Sequence, residues 1–410
     1  VYNQNLWLDR ELELDGNLSR LAFTRKNGAS LIYREGARKA EEDWKDMGKS
    51  RQSAGNSLFL RNAWYAGGFA EELDTQPMFS RKILGESVLF YRDRNGTPAA
   101  IGNLCPHRFA PLDRGTVVDG QVRCGYHGLG FDRTGKCVHN PHGKTAGLAV
   151  AAYPLAVRHG ILWLWMGDAG KVDYDLLPRF PSLEEDRFHV RRGYLHGEAN
   201  YQLMSDNILD LSHIEFLHPA LGTDAVSRAK VETTHDERTV TTTRRMLDEV
   251  LPPTLAKVYK SGEERVNRTM EVVWSAPSNM LLAITVEPVD EAQNWTTGAQ
   301  SLHLFTPETD TSAHYFYLAS LDREVQDAHT ADAFAAALKR AFIEEDKAMI
   351  DAQAKAIGHA EIMDLKPALL PIDKAAVLAR RKLQKLIADE VAGVAANSSQ
   401  SVSTMAEGTV

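Results

Sequence analysis

Cys105-Pro106-His107 and Cys124-Gly125-Tyr126-His127 put two thiols and two imidazoles into two short segments with 16 residues between them. Sulfur and imidazole nitrogen are ligands that transition metals take readily. Four thiolates would suit zinc or an ordinary iron–sulfur cluster. Two Cys with two His, set as C-x-H and C-x-x-H, match a [2Fe–2S] centre in which one iron takes both thiolates and the other both imidazoles. Neutral imidazoles leave such a cluster less negative than four thiolates would, so it accepts an electron more readily. The chemistry implied is one-electron transfer.

A structural Cys2His2 zinc site is the competing reading. Zinc fingers place their second pair as H-x(3–5)-H, whereas here Cys and His alternate within each pair. Pro106, Gly125, Tyr126 and Gly128 surround the four residues, and small neighbours let backbone N–H groups approach cluster sulfides. The spacing favours a Rieske centre with Cys105, His107, Cys124 and His127 as ligands. The chain's third cysteine, Cys137, is expected to be a small buried apolar side chain. His139 and His142 are read as loop residues near the cluster.

A second group follows in Asp210-Leu-Ser-His213-Ile-Glu-Phe-Leu-His218. Two His and a carboxylate suggest a 2-His-1-carboxylate iron site. On a regular helix, at ~100° per residue, His213 and His218 would lie about 140° apart, too wide for one metal. The helix must therefore distort or fray before Pro219. Asp210, three residues before His213, is placed to take an imidazole N–H, so the carboxylate ligand must come from elsewhere. Phe334, Leu338, Phe342, Asp346 and Ile350 recur every four residues, with Met349 joining the stripe, so Asp346 is expected on a buried apolar face. An unpaired buried carboxylate is costly, and a ferrous ion would relieve it. A surface acid or an internal salt bridge is the alternative. Glu345, rotated ~100° away, is expected to face solvent. Asn207, one turn before Asp210, is a candidate to reach the site. His303 and His314, on predicted strands, are candidates to floor a substrate pocket, whereas Trp274 and Phe316 read as core.

The elements that must position these groups follow from pattern. At 410 residues there is room for two domains. A net charge of −8 gives no footprint for nucleic acid. Three Cys allow no disulfide framework, no apolar run is long enough to span a membrane, and no secretory signal is evident, so a cytoplasmic location is expected. Residues 1–57, charged and without aromatic clusters, are set apart as an N-terminal extension of unknown role. Short β runs at Ser87–Arg92, Pro98–Asn103, Gln121–Cys124 and Ile161–Met166 predict an all-β cluster domain over 58–170. A catalytic domain over 171–394 is expected to be α+β. A helix over Asn200–Leu217 precedes strands in Val231–Leu247, Arg268–Trp274, Met280–Glu287, Ser301–Phe305 and His314–Ala319. Helices near Ala328–Ala356 and Lys374–Val391 close it. The Ser-rich tail, 395–410, is expected to be disordered.

This order of motifs resembles the Rieske non-haem iron oxygenases, from about Leu58 to Leu386. Within them it is most similar to the vanillate and dicamba O-demethylase branch. Arg61-Asn-Ala-Trp-Tyr65, Cys105-Pro-His-Arg-Phe-Ala-Pro111, His139-Asn-Pro-His-Gly143 and Leu304-Phe-Thr-Pro-Glu-Thr309 add to the likeness. The resemblance implies an α+β catalytic domain with an antiparallel sheet flanked by helices. It implies mononuclear Fe(II) held by His213, His218 and Asp346, with O2 as co-substrate. It also implies a homotrimer in which Asp210 bridges a cluster His of one subunit and His213 of the next. Electrons would come from NAD(P)H through a separate flavin and iron–sulfur reductase or a ferredoxin; this chain shows no G-x-G-x-x-G of its own after a strand. The implied reaction is O-demethylation of a small methoxyarene. Other readings are N-demethylation, methyl hydroxylation or ring cis-dihydroxylation, and, in other classes, an electron carrier without its own iron or a zinc-stabilised binding protein.

Overall fold

The computed structural model describes residues 58–183 and 186–406, with side chains to residue 393. The extension set apart above, residues 1–57, lies outside the described residues.

The first domain is built from short antiparallel strands: β1 (Trp64–Phe69), β2 (Met78–Ile83), β3 (Glu86–Arg92), β4 (Pro98–Gly102), β5 (Thr116–Val118), β6 (Gln121–Arg123), β7 (Gly130–Phe131), β8 (Cys137–His139), β9 (Ala152–Tyr153), β10 (Leu155–Arg158) and β11 (Ile161–Trp165). They form three small sheets, ordered β1-β11-β10, β2-β3-β4-β9 and β5-β6-β7-β8. Turn chemistry sets their pairing. Asp93 accepts from the N–H groups of Asn95 and Thr97, closing the β3–β4 turn, and Gly96 takes the left-handed φ of 77° that this turn requires. The loop after β4 carries Cys105 and His107, and the β6–β7 loop carries Cys124 and His127.

The second domain rests on one seven-stranded antiparallel sheet: β12 (Phe188–Gly197), β13 (Lys230–His235), β14 (Thr239–Val250), β15 (Arg265–Ser275), β16 (Asn279–Pro288), β17 (Thr297–Pro307) and β18 (Ala313–Asp322), in the order β12-β18-β17-β16-β15-β14-β13. Strand β12, with few fully buried positions, was not expected from pattern; it pairs with β18 through its whole length. Side chains alternate across a strand, so the register sorts the sheet into two faces. Met270, Ile284 and Ala299 form one row, Val272, Leu282 and Ser301 the next, and Trp274, Met280, His303 and Tyr317 the third. The opposite face presents Leu302, Leu304, Phe316 and Leu318. These pack on Trp64, Trp163 and Trp165 of the first domain.

Helices cover the first of these faces. The expected helix over Asn200–Leu217 is broken. It runs as α1 (Tyr201–Leu209), a 3-10 turn at Leu211–His213 and the short α2 (Ile214–Leu217). Asp210 sits at the break with φ −116° and ψ 95°, and its side chain caps the following turn by accepting from the Ser212 N–H. A further helix, α3 (Pro253–Tyr259), links β14 to β15. The long C-terminal helix is likewise interrupted: α4 (Ala328–Arg340) passes into a π-helical turn over Ala341–Asp346 and then α5 (Lys347–Ile357). The last helix, α6 (Lys374–Ala406), continues through part of the stretch expected to be disordered. Nothing between residues 394 and 406 is Gly or Pro, so no residue there forces the backbone out of the helix. Among the described residues no helix is long and apolar enough to cross a membrane.

Candidate metal centres

The two Cys/His loops meet. Cys105 and Cys124 are both buried and free of any disulfide. The rings of His107 and His127 stand 4.5 Å apart. Burial, together with the neighbouring Cys124, raises the Cys105 pKa. His127 Nδ1 is buried without a hydrogen-bond partner, an orphaned nitrogen of the kind a metal satisfies. Close backbone approach explains the glycine between the second pair: a Cβ on Gly125 would lie 2.6 Å from the Arg114 carbonyl oxygen. Two inward thiols and two outward imidazoles are the donor set a [2Fe–2S] cluster of this kind needs. His142 reaches the His127 carbonyl at 3.1 Å and so lies against the loop, while Cys137 is buried as expected.

The second group also converges. Ligand atoms of His213, His218 and Asp346 lie within 4.8 Å of one another. His213 Nε2 is 3.5 Å and His218 Nε2 is 3.0 Å from Asp346 Oδ1. Their other nitrogens fix the tautomers. His213 Nδ1 lies 2.7 Å from the Asp210 backbone carbonyl, which can only accept, so Nδ1 carries the proton. His218 Nδ1 donates to Glu345 Oε2 at 2.5 Å. Both Nε2 lone pairs therefore point at a carboxylate oxygen, an arrangement that needs a cation between them. The two rings differ in their electrostatics. Burial lowers the His213 pKa, whereas at His218 burial is outweighed by Asp346 and Glu345, which raise it. Two neutral imidazoles and one carboxylate are the donor set of a ferrous facial triad.

Four expectations change here. Asp210 holds His213 through its backbone carbonyl rather than its carboxylate. The carboxylate is spent on the Ser212 N–H and hydroxyl, at 3.0 and 2.8 Å, and on Arg244 at 3.1 Å. Glu345 is only partly exposed, at 32%, and turns its carboxylate to His218. The π turn inserts a residue into the helical register and brings both Glu345 and Asp346 toward His218. The same shift leaves Met349 57% exposed, off the buried stripe of Phe334, Leu338, Phe342 and Ile350. His314 lies on the sheet face opposite His303. It pairs with Thr306 across β17–β18, and its Nε2 donates to the Lys82 carbonyl of the first domain. It does not line the cavity beside His213, His218 and Asp346.

Asn207 does reach the site, but through the ligand set: its Nδ2 donates to Asp346 Oδ1 at 3.1 Å. His303 lines the cavity that opens beside His213, His218 and Asp346, about 670 Å³ when its solvent-open mouth is included. Helix α1, the π turn and strands β15 to β17 wall it with apolar side chains such as Ile208, Met270, Leu282 and Phe342. Trp274 and Phe316 are core, as expected. Sequence reasoning missed Glu345, Tyr259 and Arg268. For Arg268 there was a signal. Val266, Met270, Val272 and Trp274 alternate onto the buried side of β15, and Arg268 shares their parity. A charge there must have a partner, and Glu249 supplies it at 2.7 Å.

Two protein-family models match the chain. The Rieske [2Fe-2S] domain covers residues 63–154, and the vanillate O-demethylase oxygenase C-terminal domain covers 197–389. Among curated proteins, the oxygenase component of dicamba O-demethylase from Stenotrophomonas maltophilia is 33% identical over 332 residues, spanning 80% of this chain and 98% of the relative. The oxygenase component of chloroacetanilide N-alkylformylase from Rhizorhabdus wittichii is 33% identical over 338 residues, spanning 81% and 97%. Among solved structures, dicamba monooxygenase bound to 3,6-dichlorosalicylic acid superposes with a TM-score of 0.77 at 33% identity, covering 82% of this chain and all of that one.

Proposed function

The chain belongs to the Rieske non-haem iron oxygenases, as an oxygenase component of the vanillate and dicamba O-demethylase kind, and on that premise we propose that it removes a methyl group oxidatively from a small methoxyarene. One observation carries the reading. Three convergent ligand atoms stand at the wall of a largely apolar cavity, in a chain that also builds a cluster site. An electron carrier would need only the first domain. The balanced reaction takes ArOCH3, O2, two electrons and two protons to ArOH, formaldehyde and water.

A ferrous ion held here would supply O2 activation, fed by electrons from the cluster. The protein's part is positional. His213, His218 and Asp346 would hold that metal at the wall of the cavity. Asn207 and Glu345 orient two of those ligands by hydrogen bonds, as outer partners of metal ligands do. The apolar wall seats the ring and keeps water from the oxidising centre. A separate reductase or ferredoxin delivers electrons, and the oxygenase works as a trimer in the cytoplasm.

The test is to supply a surrogate reductase and NADH to the purified protein with a panel of methoxyarenes, scoring formaldehyde and NADH use together. Formaldehyde released in step with NADH oxidation supports O-demethylation. A cis-diol, or NADH oxidation with no formaldehyde from any methoxyarene, sinks it.

A further inference from the structure

Besides the metal ligands and Gln300, the apolar lining of the iron-side cavity is interrupted by two polar groups of different kinds. One is closed on itself. The ring nitrogens of His303 meet Ser301 Oγ at 2.9 Å and Tyr315 Oη at 2.6 Å, so no ring nitrogen is left over. Burial also pushes the His303 pKa down to about 4, which leaves the ring uncharged at neutral pH.

The other, Tyr259 with Arg268, is open. The Tyr259 hydroxyl is buried and has no hydrogen-bond partner. Arg268 gives Nε and Nη2 to Glu249, at 2.7 and 3.3 Å, and Nη1 to the Leu221 carbonyl at 3.1 Å. A guanidinium has five N–H groups, so two remain beyond these three bonds. Its charge, however, is already balanced. The Arg268 and Glu249 side chains are 1% and 2% exposed, a pair fully withdrawn from water. Among the described residues lining the cavity, Arg268 is the sole formal side-chain cation.

Donors without net charge define a ligand. A buried carboxylate or sulfonate needs a counter-charge, and beside Arg268 it would also face Glu249. A neutral acceptor needs only donors. We infer that the cavity selects an uncharged arene whose carbonyl, ester, amide or nitro oxygen accepts from Tyr259 and Arg268, and that it discriminates against aromatic acids. This deepens the O-demethylation reading and rests on it for the reacting methyl group, but binding can be measured without turnover.

The experiment is calorimetric titration of the metal-loaded protein with methyl 4-methoxybenzoate, 4-methoxybenzoate and 4-methoxytoluene. The ester is expected to bind at least ~10-fold more tightly than the acid. Tyr259→Phe is expected to weaken the ester roughly 10-fold, the loss of about one hydrogen bond, while 4-methoxytoluene is unaffected. Because that variant deletes a buried hydroxyl with no partner, its ligand-free melting temperature should not fall. Arg268→Lys, which keeps a charge for Glu249 but loses the planar fork, should weaken the ester in the same way. Equal or tighter binding of the acid overturns the inference. So does a Tyr259→Phe variant that binds the ester normally, or a folded protein that binds no arene. An ester that binds as expected, when neither it nor any methoxyarene of the panel releases formaldehyde, supports this selectivity and removes the O-demethylation reading instead.

Discussion

Asp346 Oδ1 is the point on which three side chains bear: Asn207 donates to it, and His213 and His218 present ring nitrogens to it beside the cation it implies. Removing that oxygen leaves two imidazoles, too few donors to retain ferrous iron against water. Asp346→Ala is therefore expected to lose mononuclear iron and at least ~100-fold in turnover, with the cluster's optical and EPR signals intact. Full activity in that variant would refute the ligand assignment. Glu345 acts one bond further out. Its carboxylate accepts a hydrogen bond from His218 Nδ1–H and raises the basicity of the ligating nitrogen. Glu345→Gln keeps an acceptor but not the charge, so iron affinity should drop about 10-fold, with turnover restored by excess Fe(II). A variant whose iron content matches wild type under chelator challenge would make Glu345 a bystander.

The elements show where reading the sequence stopped working, and why. Strands β14 to β18 were legible because their period-2 alternation is strong, and Asp346 was legible because an acid sat in an apolar stripe. The register was not legible. His303 and His314 both lie on correctly expected strands, but pairing of His303 with Tyr317 and of Thr306 with His314 sends the two histidines to opposite faces. Parity across a pairing depends on where the hairpin turns, which local pattern does not fix. The π turn escaped for a similar reason. An inserted residue leaves composition and apolar spacing nearly unchanged yet swings Glu345 onto His218. His314 instead belongs to the seam between domains, where the Tyr194 hydroxyl donates to Nδ1 and Nε2–H donates to Lys82. Burial pushes its pKa down to about 4 from an ordinary 6.5. Between those values the unfolded chain binds a proton that the folded one does not, so stability falls as pH drops from 6.5 toward 4 and is unaffected above that window. The contribution is at most about 3 kcal/mol. Melting temperatures measured across that range should fall less steeply in His314→Gln than in wild type. Parallel slopes would show that the seam does not titrate.

At the scale of the whole molecule, the catalytic sheet divides the two metal centres. Its one face looks toward the iron and its cavity, and its other face packs on the first domain. The seam is made by the β2–β3 turn, where Leu84 and Gly85 donate to the Pro307 and Glu308 carbonyls of β17–β18. No contact in the described residues joins the cluster histidines to the iron ligands; His107 and His127 meet edge to face, with Tyr126 and His142 beside them. His107 is exposed, as are its neighbours Phe109 and Tyr126, while His213 at the other centre keeps 21% of its side chain exposed. An exposed cluster edge and an iron site that reaches the surface through His213 are what a head-to-tail ring would bring together, the cluster of one subunit against the iron of the next. Asp210, partly exposed beside His213, would then lie at that junction. The arrangement makes a quantitative prediction. His107→Ala should disable the cluster and Asp346→Ala the iron, so each variant alone should be inactive. If the chain forms the trimer proposed above and electrons cross between its subunits, assemblies from an equal mixture contain working pairs wherever an intact iron faces an intact cluster. By random assembly that is about a quarter of sites. Activity near that fraction after co-expression, with neither parent active, is the expected result. A co-expressed mixture as dead as its parents would place the electron path within a single chain and remove the need for a ring.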